Sequence, residues 1–196
     1  NSFGQTINVN MMQMMSAYCS IINGGMLYQP HIVKRIESAN GEVVKENKAT
    51  LVRQTVTMST SKLLRRYLKS TVETGTAKKV AVTGYSVAGK TGTAQKSPRS
   101  ENKWLISFIG HAPADNPKFA IYVIIEPDGT TGTSGSSADV LTLSHDILEK
   151  LLPYMSVYKD SLEPETDTGT AEDEYTVDGV PEGSIQNTAT ENLQNM

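Results

Sequence analysis

The sequence predicts an α+β fold, with helices and an antiparallel sheet drawn from different stretches of the chain. Three observations lead there. Three segments carry apolar residues at helical spacing with capping residues in place. Between them lie short runs rich in β-branched and aromatic residues, which read as strands. Two of the gaps between those runs, Ser38-Ala39-Asn40-Gly41 and Ala114-Asp115-Asn116-Pro117, are turn sequences too short for a helical crossover, so the strands they join must run antiparallel.

Taken in order, the first element is a helix with Asn10 as its cap and Asn23-Gly24-Gly25 as its stop. Apolar residues lie nearly all the way round it, so a buried helix is expected, with Met11, Met12, Met14 and Met15 filling core. The segments 31–38 and 42–47 flank an Asn-Gly turn and form a hairpin. Residues 58–79 hold the second helix, with Leu63, Leu64, Tyr67, Leu68 and Val72 on one stripe, Ser59 at the cap position and Gly75 as its end. A strand follows over residues 83–95, where Tyr85, Ser86, Val87 and Ala88 alternate large and small side chains as extended chain does. Residues 103–113 and 118–127 supply an antiparallel pair, and 129–137 a Gly/Ser/Thr-rich loop. Ser136 or Ser137 then caps a last helix whose inner face is Val140, Leu141, Ser144, Ile147, Leu148, Leu151 and Leu152, with Pro153 ending it.

The 196 residues suffice for one domain with a single core. Their net charge of -3 hides a division: +7 through Lys159 and -10 beyond it. Residues 1–158 are therefore expected to be the folded body. Residues 159–196, rich in acid, Thr and Gly with little to bury, are expected to be a disordered tail, either a solvated linker or an electrostatic flap over the basic body. The single cysteine, Cys19, excludes an intramolecular disulfide and any multi-thiolate metal site. His31 and His145 have no second ligand at metal spacing, so neither a metal nor another cofactor is expected. No stretch approaches the roughly 20 apolar residues of a membrane span, and no nucleic-acid partner is expected. A start at Asn1, without methionine, carries the expectation of an excised or mature piece.

Residues Gly84 to Thr91 match G-x-x-x-x-G-K-[ST], and Glu126 after an apolar strand imitates the magnesium-binding acid of nucleotide hydrolases. That reading requires a helix to begin at Lys90-Thr91. Gly92, Thr93 and, a few residues on, Pro98 make a poor first turn. The competing reading takes Lys90-Thr91-Gly92-Thr93 as part of a strand. In that setting "GYSVAGKTGTAQ", "NKWLISFIGHAPADNPKFAIYVIIEP" and, earlier, "INGGMLYQPHIVKRI" resemble, in this order, the C-terminal half of the transpeptidase domain of class B penicillin-binding proteins. The resemblance covers nearly all of residues 1 to 155.

That resemblance implies an antiparallel sheet with helices on both faces, only half of it present here. It also implies a serine-type D,D-transpeptidase, which takes peptidoglycan stem peptides ending in D-Ala-D-Ala, or β-lactams, through an acyl-serine intermediate. Lys90 would supply a fixed positive charge and aid proton movement near the nucleophile; Thr91 and Thr93 would offer hydroxyls to the substrate carboxylate, and the Thr93 N–H one half of the oxyanion hole. Gly92 would leave room for a peptide to approach the strand. The family also needs S-x-x-K and S-x-N elements well upstream of K-T-G. Ser59 to Lys62 and Ser100 to Asn102 match the letters, but not the position, so neither is taken as catalytic. The nucleophile is expected in a missing N-terminal segment that also carries a membrane anchor, leaving this chain inert alone, with cell-wall synthesis proteins as partners and the outer face of the cytoplasmic membrane as location. His111, where an apolar residue is more usual, and Asn8-Val9-Asn10, where Thr-Pro is, are minor departures. The alternatives are the nucleotide-binding protein and a non-enzymatic cell-wall scaffold.

Overall fold

The computed structural model of the chain describes residues 7–96, 103–127 and 137–160. The chain divides into two units, 1–162 and 163–196, and the described helices and strands all belong to the first. The tail from residue 161 onward, the loop up to Ser136 and the Ser100-Glu101-Asn102 triplet lie outside the described residues.

Helix α1, Met11–Ile22, begins as its capping residues require: the Gln13 backbone N–H donates to the Asn10 side chain (2.8 Å), and the Asn10 N–H donates to the Gln13 side chain (3.0 Å). Its burial departs from expectation. Tyr18, Ser20 and Ile22 are buried, whereas Met11, Met12 and Met14 are exposed and Met15 is half-buried. An all-round apolar sequence lets a helix be buried on every side, but only its last two turns have described neighbours close enough to do so.

An arm follows, built from β1 (Met26–Tyr28), β2 (Arg35–Glu37), β3 (Val43–Glu46) and β4 (Leu51–Gln54). β2 pairs with β3 across the expected turn, where Gly41 has φ +82° and its N–H donates to Ser38 O. β1 pairs with β4 around that hairpin. This outer pairing has no local signal in the sequence, because three- and four-residue strands joined over a long separation carry no alternation of their own.

Helix α2, Met58–Glu73, is capped by Thr57, whose hydroxyl accepts from the Thr60 N–H, not by Ser59, which lies one residue inside the helix. Of the expected stripe, Val72 is buried, Leu63, Leu64 and Leu68 are half-buried and Tyr67 is exposed. A short 3-10 turn, Lys78–Val80, leads to the main sheet.

That sheet has strands β5 (Ala88–Gln95), β6 (Trp104–Ala112) and β7 (Phe119–Ile125) in the spatial order β5-β6-β7, antiparallel throughout. Partners in an antiparallel pair share a face. One face therefore carries Ile106, Phe108, Ala112 and Ile121, which form a core with Val72, Val80 and the last helix's Val140, Leu141, Leu148 and Leu152. Helix α3 itself spans Ser137–Tyr154, with Pro153 inside its last turn. The other face carries Ala88, Lys90, Gly92 and His111, and α1 is tied to it through Tyr18. The architecture is thus the expected α+β one, helices on both faces of an antiparallel sheet. Ile147, expected inside, is partly exposed on α3.

Candidate functional site

The Lys90-Thr91-Gly92-Thr93 run is extended chain in the middle of β5, paired on one side with β6 at Ile109, Phe108, Ser107 and Ile106. Its other side has no partner strand among the described residues, so its outward backbone groups are open to an extended ligand. The strand starts abruptly at Ala88 because residues 82–85 turn, with the Tyr85 N–H donating to Val82 O (3.1 Å) and Gly84 at φ +81°. The chain is held there also by the segment that follows the last helix, the Asp160 N–H donating to Gly84 O (2.8 Å).

No helix begins at Lys90-Thr91, which removes the phosphate-loop reading. Glu126 is not a magnesium ligand in waiting either; it is ion-paired with Lys96 at the far end of the strand. Among the described residues no group of three His, Cys, Asp or Glu is arranged to hold a metal ion.

Within the run, Lys90 is exposed and folds back along its own strand, its ammonium donating to Thr91 O (3.0 Å) and Thr91 Oγ1 (3.4 Å). Thr91 Oγ1 also meets Thr76 Oγ1 at 3.3 Å, from the turn after α2. Thr93 is exposed. Gly92 has a reason the sequence did not reveal: a Cβ there would lie 2.6 Å from Ser107 Oγ, so the glycine makes room for a cross-strand hydroxyl on the Lys90 face. Pleating sends Lys90 and Gly92 to one face and Thr91 and Thr93 to the other. A cation and several hydroxyls thus border one open strand edge, a chemistry suited to a carboxylate at the end of a peptide. Thr76 and Ser107 were missed because each reads locally as an ordinary turn or strand residue; only the cross-chain pairing brings them to the run.

Ser59 is elsewhere. It lies in the exposed first turn of α2, bonded to the Thr57 hydroxyl (2.9 Å), and roughly 20 Å along the helix axis, at 1.5 Å per residue, from the turn that reaches Thr91.

The sheet is braced by a buried polar chain. His111 is fully buried, and its Nε2 lies 3.0 Å from Ala114 O, which can only accept. Nε2 therefore carries the proton and Nδ1 accepts from the Tyr18 hydroxyl at 2.7 Å. Burial, seconded by the Arg65 charge, pulls the imidazole down to about 4, while the Ala114 bond and Asp115 pull the other way. Burial also pushes the Tyr18 phenol up. His111 faces Ala88 in the register, two residues from Lys90, so this neutral clamp fixes α1 against the strand pair that carries the site.

The model of the penicillin binding protein transpeptidase domain matches residues 1–149. Stage V sporulation protein D of Bacillus subtilis is 38% identical over 161 residues, 80% of this chain and 25% of the relative. PbpB of Mycolicibacterium smegmatis is 32% identical over 163 residues, 76% of this chain and 25% of the relative. The chain therefore spans about a quarter of the length of the curated relatives it matches. Among solved structures, penicillin-binding protein 3 of Mycobacterium tuberculosis superposes with a TM-score of 0.68 at 29% identity in its apo form, over 80% of this chain and 37% of that one. Its complex with ampicillin gives 0.69 at 28%, over 82% and 38%.

Proposed function

This chain belongs to the penicillin-binding protein transpeptidase family, and from that premise we propose that it forms the substrate-edge half of a serine-type peptidoglycan D,D-transpeptidase. Its substrates are stem peptides ending in D-Ala-D-Ala, and β-lactams occupy the same edge. The observation that carries this reading is the open β5 edge with Lys90, Thr91, Gly92 and Thr93 in extended conformation. A peptide laid along it pairs through its backbone, as in strand addition. Thr91 and Thr93 receive the terminal carboxylate, the Thr93 N–H contributes to the oxyanion hole, and Lys90 supplies positive charge and assists proton transfer at the nucleophile.

On this reading the nucleophilic serine is supplied by a part of the transpeptidase domain that this chain does not include; Ser59 is remote from Lys90, its hydroxyl bonded to that of Thr57. By this reading the parent works on the outer face of the cytoplasmic membrane among other cell-wall synthesis proteins. The test is covalent labelling by a fluorescent penicillin. The full-length parent is expected to label and the chain alone not to. Lys90→Ala in the parent is expected to lower labelling by at least about 100-fold, the scale of a lost proton-transfer group. Unchanged labelling in Lys90→Ala would contradict the assignment.

A further inference from the structure

We infer that Thr76 is a positioning residue for the substrate carboxylate, acting through the Thr91 hydroxyl; this rests on the proposed reading of the β5 edge.

A threonine hydroxyl has one proton to give and two lone pairs to receive. The Lys90 ammonium, which can only donate, takes one lone pair of Thr91 Oγ1 at 3.4 Å. Thr76 Oγ1, at 3.3 Å, either takes the Thr91 proton or fills the second lone pair. An anion at the open edge decides between these, because it has no use for a lone pair and every use for a proton. With Thr76 donating, both acceptor sites of Thr91 are occupied and its O–H must point away from Lys90 and Thr76, toward the ligand. Thr76 therefore holds in place, once the anion is bound, the direction of a donor that the carboxylate needs.

Position supports the role. Thr76 lies between a glycine that the close approach of Thr71 requires and a buried alanine. A Cβ on Gly75 would stand 2.9 Å from the Thr71 Cα and carbonyl oxygen, so only glycine lets the chain fold this closely over the end of α2. Ala77 is fully buried, and its N–H donates to Thr71 O at 3.1 Å. The side chain between them is nevertheless exposed, with its hydroxyl 3.3 Å from Thr91 Oγ1 on β5. A packed anchor that leaves its one hydroxyl at a ligand edge is poorly explained by stability alone.

The experiment uses the full-length transpeptidase containing this chain, with benzylpenicillin and its carboxamide as probes and Lys90→Ala as a parallel control. Thr76→Val keeps the shape and removes the hydroxyl. It is expected to lower the second-order acylation rate for benzylpenicillin by about 10-fold, a hydrogen bond to a charged group. The loss should fall in the non-covalent binding constant, with the limiting acylation rate within about two-fold. Thr76→Ser should restore wild-type behaviour, and the carboxamide should react equally with all three proteins.

A wild-type rate in Thr76→Val overturns the inference, as does an equal loss for the carboxamide. Loss of both reactions together with a lowered Tm marks a merely structural threonine and also overturns it. The two readings fail separately: inert Lys90→Ala beside wild-type Thr76→Val removes only the role of Thr76, whereas undiminished Lys90→Ala removes the site and this inference with it.

Discussion

At the scale of single residues, the sharpest consequence outside the site concerns His111. Its folded-state pKa of about 4 lies below the ordinary value of 6.5, so the folded chain holds the neutral ring and the unfolded chain binds the proton first. Stability from this group is complete above pH 6.5 and is lost as the pH falls from there toward 4. Integrated to about pH 5, the loss is on the order of 2 kcal/mol. Urea denaturation at about pH 8 and about pH 5 should show that extra loss in the wild type and its absence in His111→Gln; equal losses would mean that the imidazole is not the responsible group. The residue also marks a limit of sequence reading. The Lys90-Thr91-Gly92-Thr93 run was legible because its chemistry is written in consecutive letters. His111 stood out only as an oddity, and its partners Tyr18 and Ala114 were invisible, since nothing local in a sequence tells which hydroxyl will cross 93 positions to meet a ring.

At the scale of elements, the edge strand owes its placement to Phe108. This side chain is fully buried at the pair Thr91–Phe108, and its ring lies over Gly89 and Gly110, where an added Cβ would come within 2.4 and 2.6 Å of it. Phe108→Ala is expected to cost about 3–5 kcal/mol in urea denaturation. It should also lower penicillin labelling of the parent, because β5 loses the surface that sets its height. A loss under about 1 kcal/mol would mean that the ring is not the support. The three helices, the β2–β3 hairpin and the β6–β7 pair were legible from periodicity and turn chemistry. The β1–β4 pairing was not, because its register is decided by closure of the whole arm and not by its letters. The cap expected at Ser59 falls instead on Thr57, a residue with the same side-chain chemistry, and only backbone geometry separates the two.

At the scale of the whole molecule, the described sheet has two open edges, at β5 and at β7, and the apolar residues Met11, Met12 and Met14 in the first half of α1 and Met58 at the start of α2 are exposed. Only one of those edges is needed by a substrate. On the proposed reading the other, with the methionines, meets the rest of the transpeptidase domain, which fits a chain spanning about a quarter of its relatives' length. The methionines should then oxidise more slowly with peroxide in the parent than in the chain alone, as read by mass spectrometry; equal rates would leave those surfaces uncovered. The division of labour behind all of this, an edge here and a nucleophile elsewhere, has one direct measurement. Peptide mapping of the penicillin-acylated parent should place the adduct on a serine outside these 196 residues, and an adduct on Ser59, or on any other serine of this chain, would contradict the account.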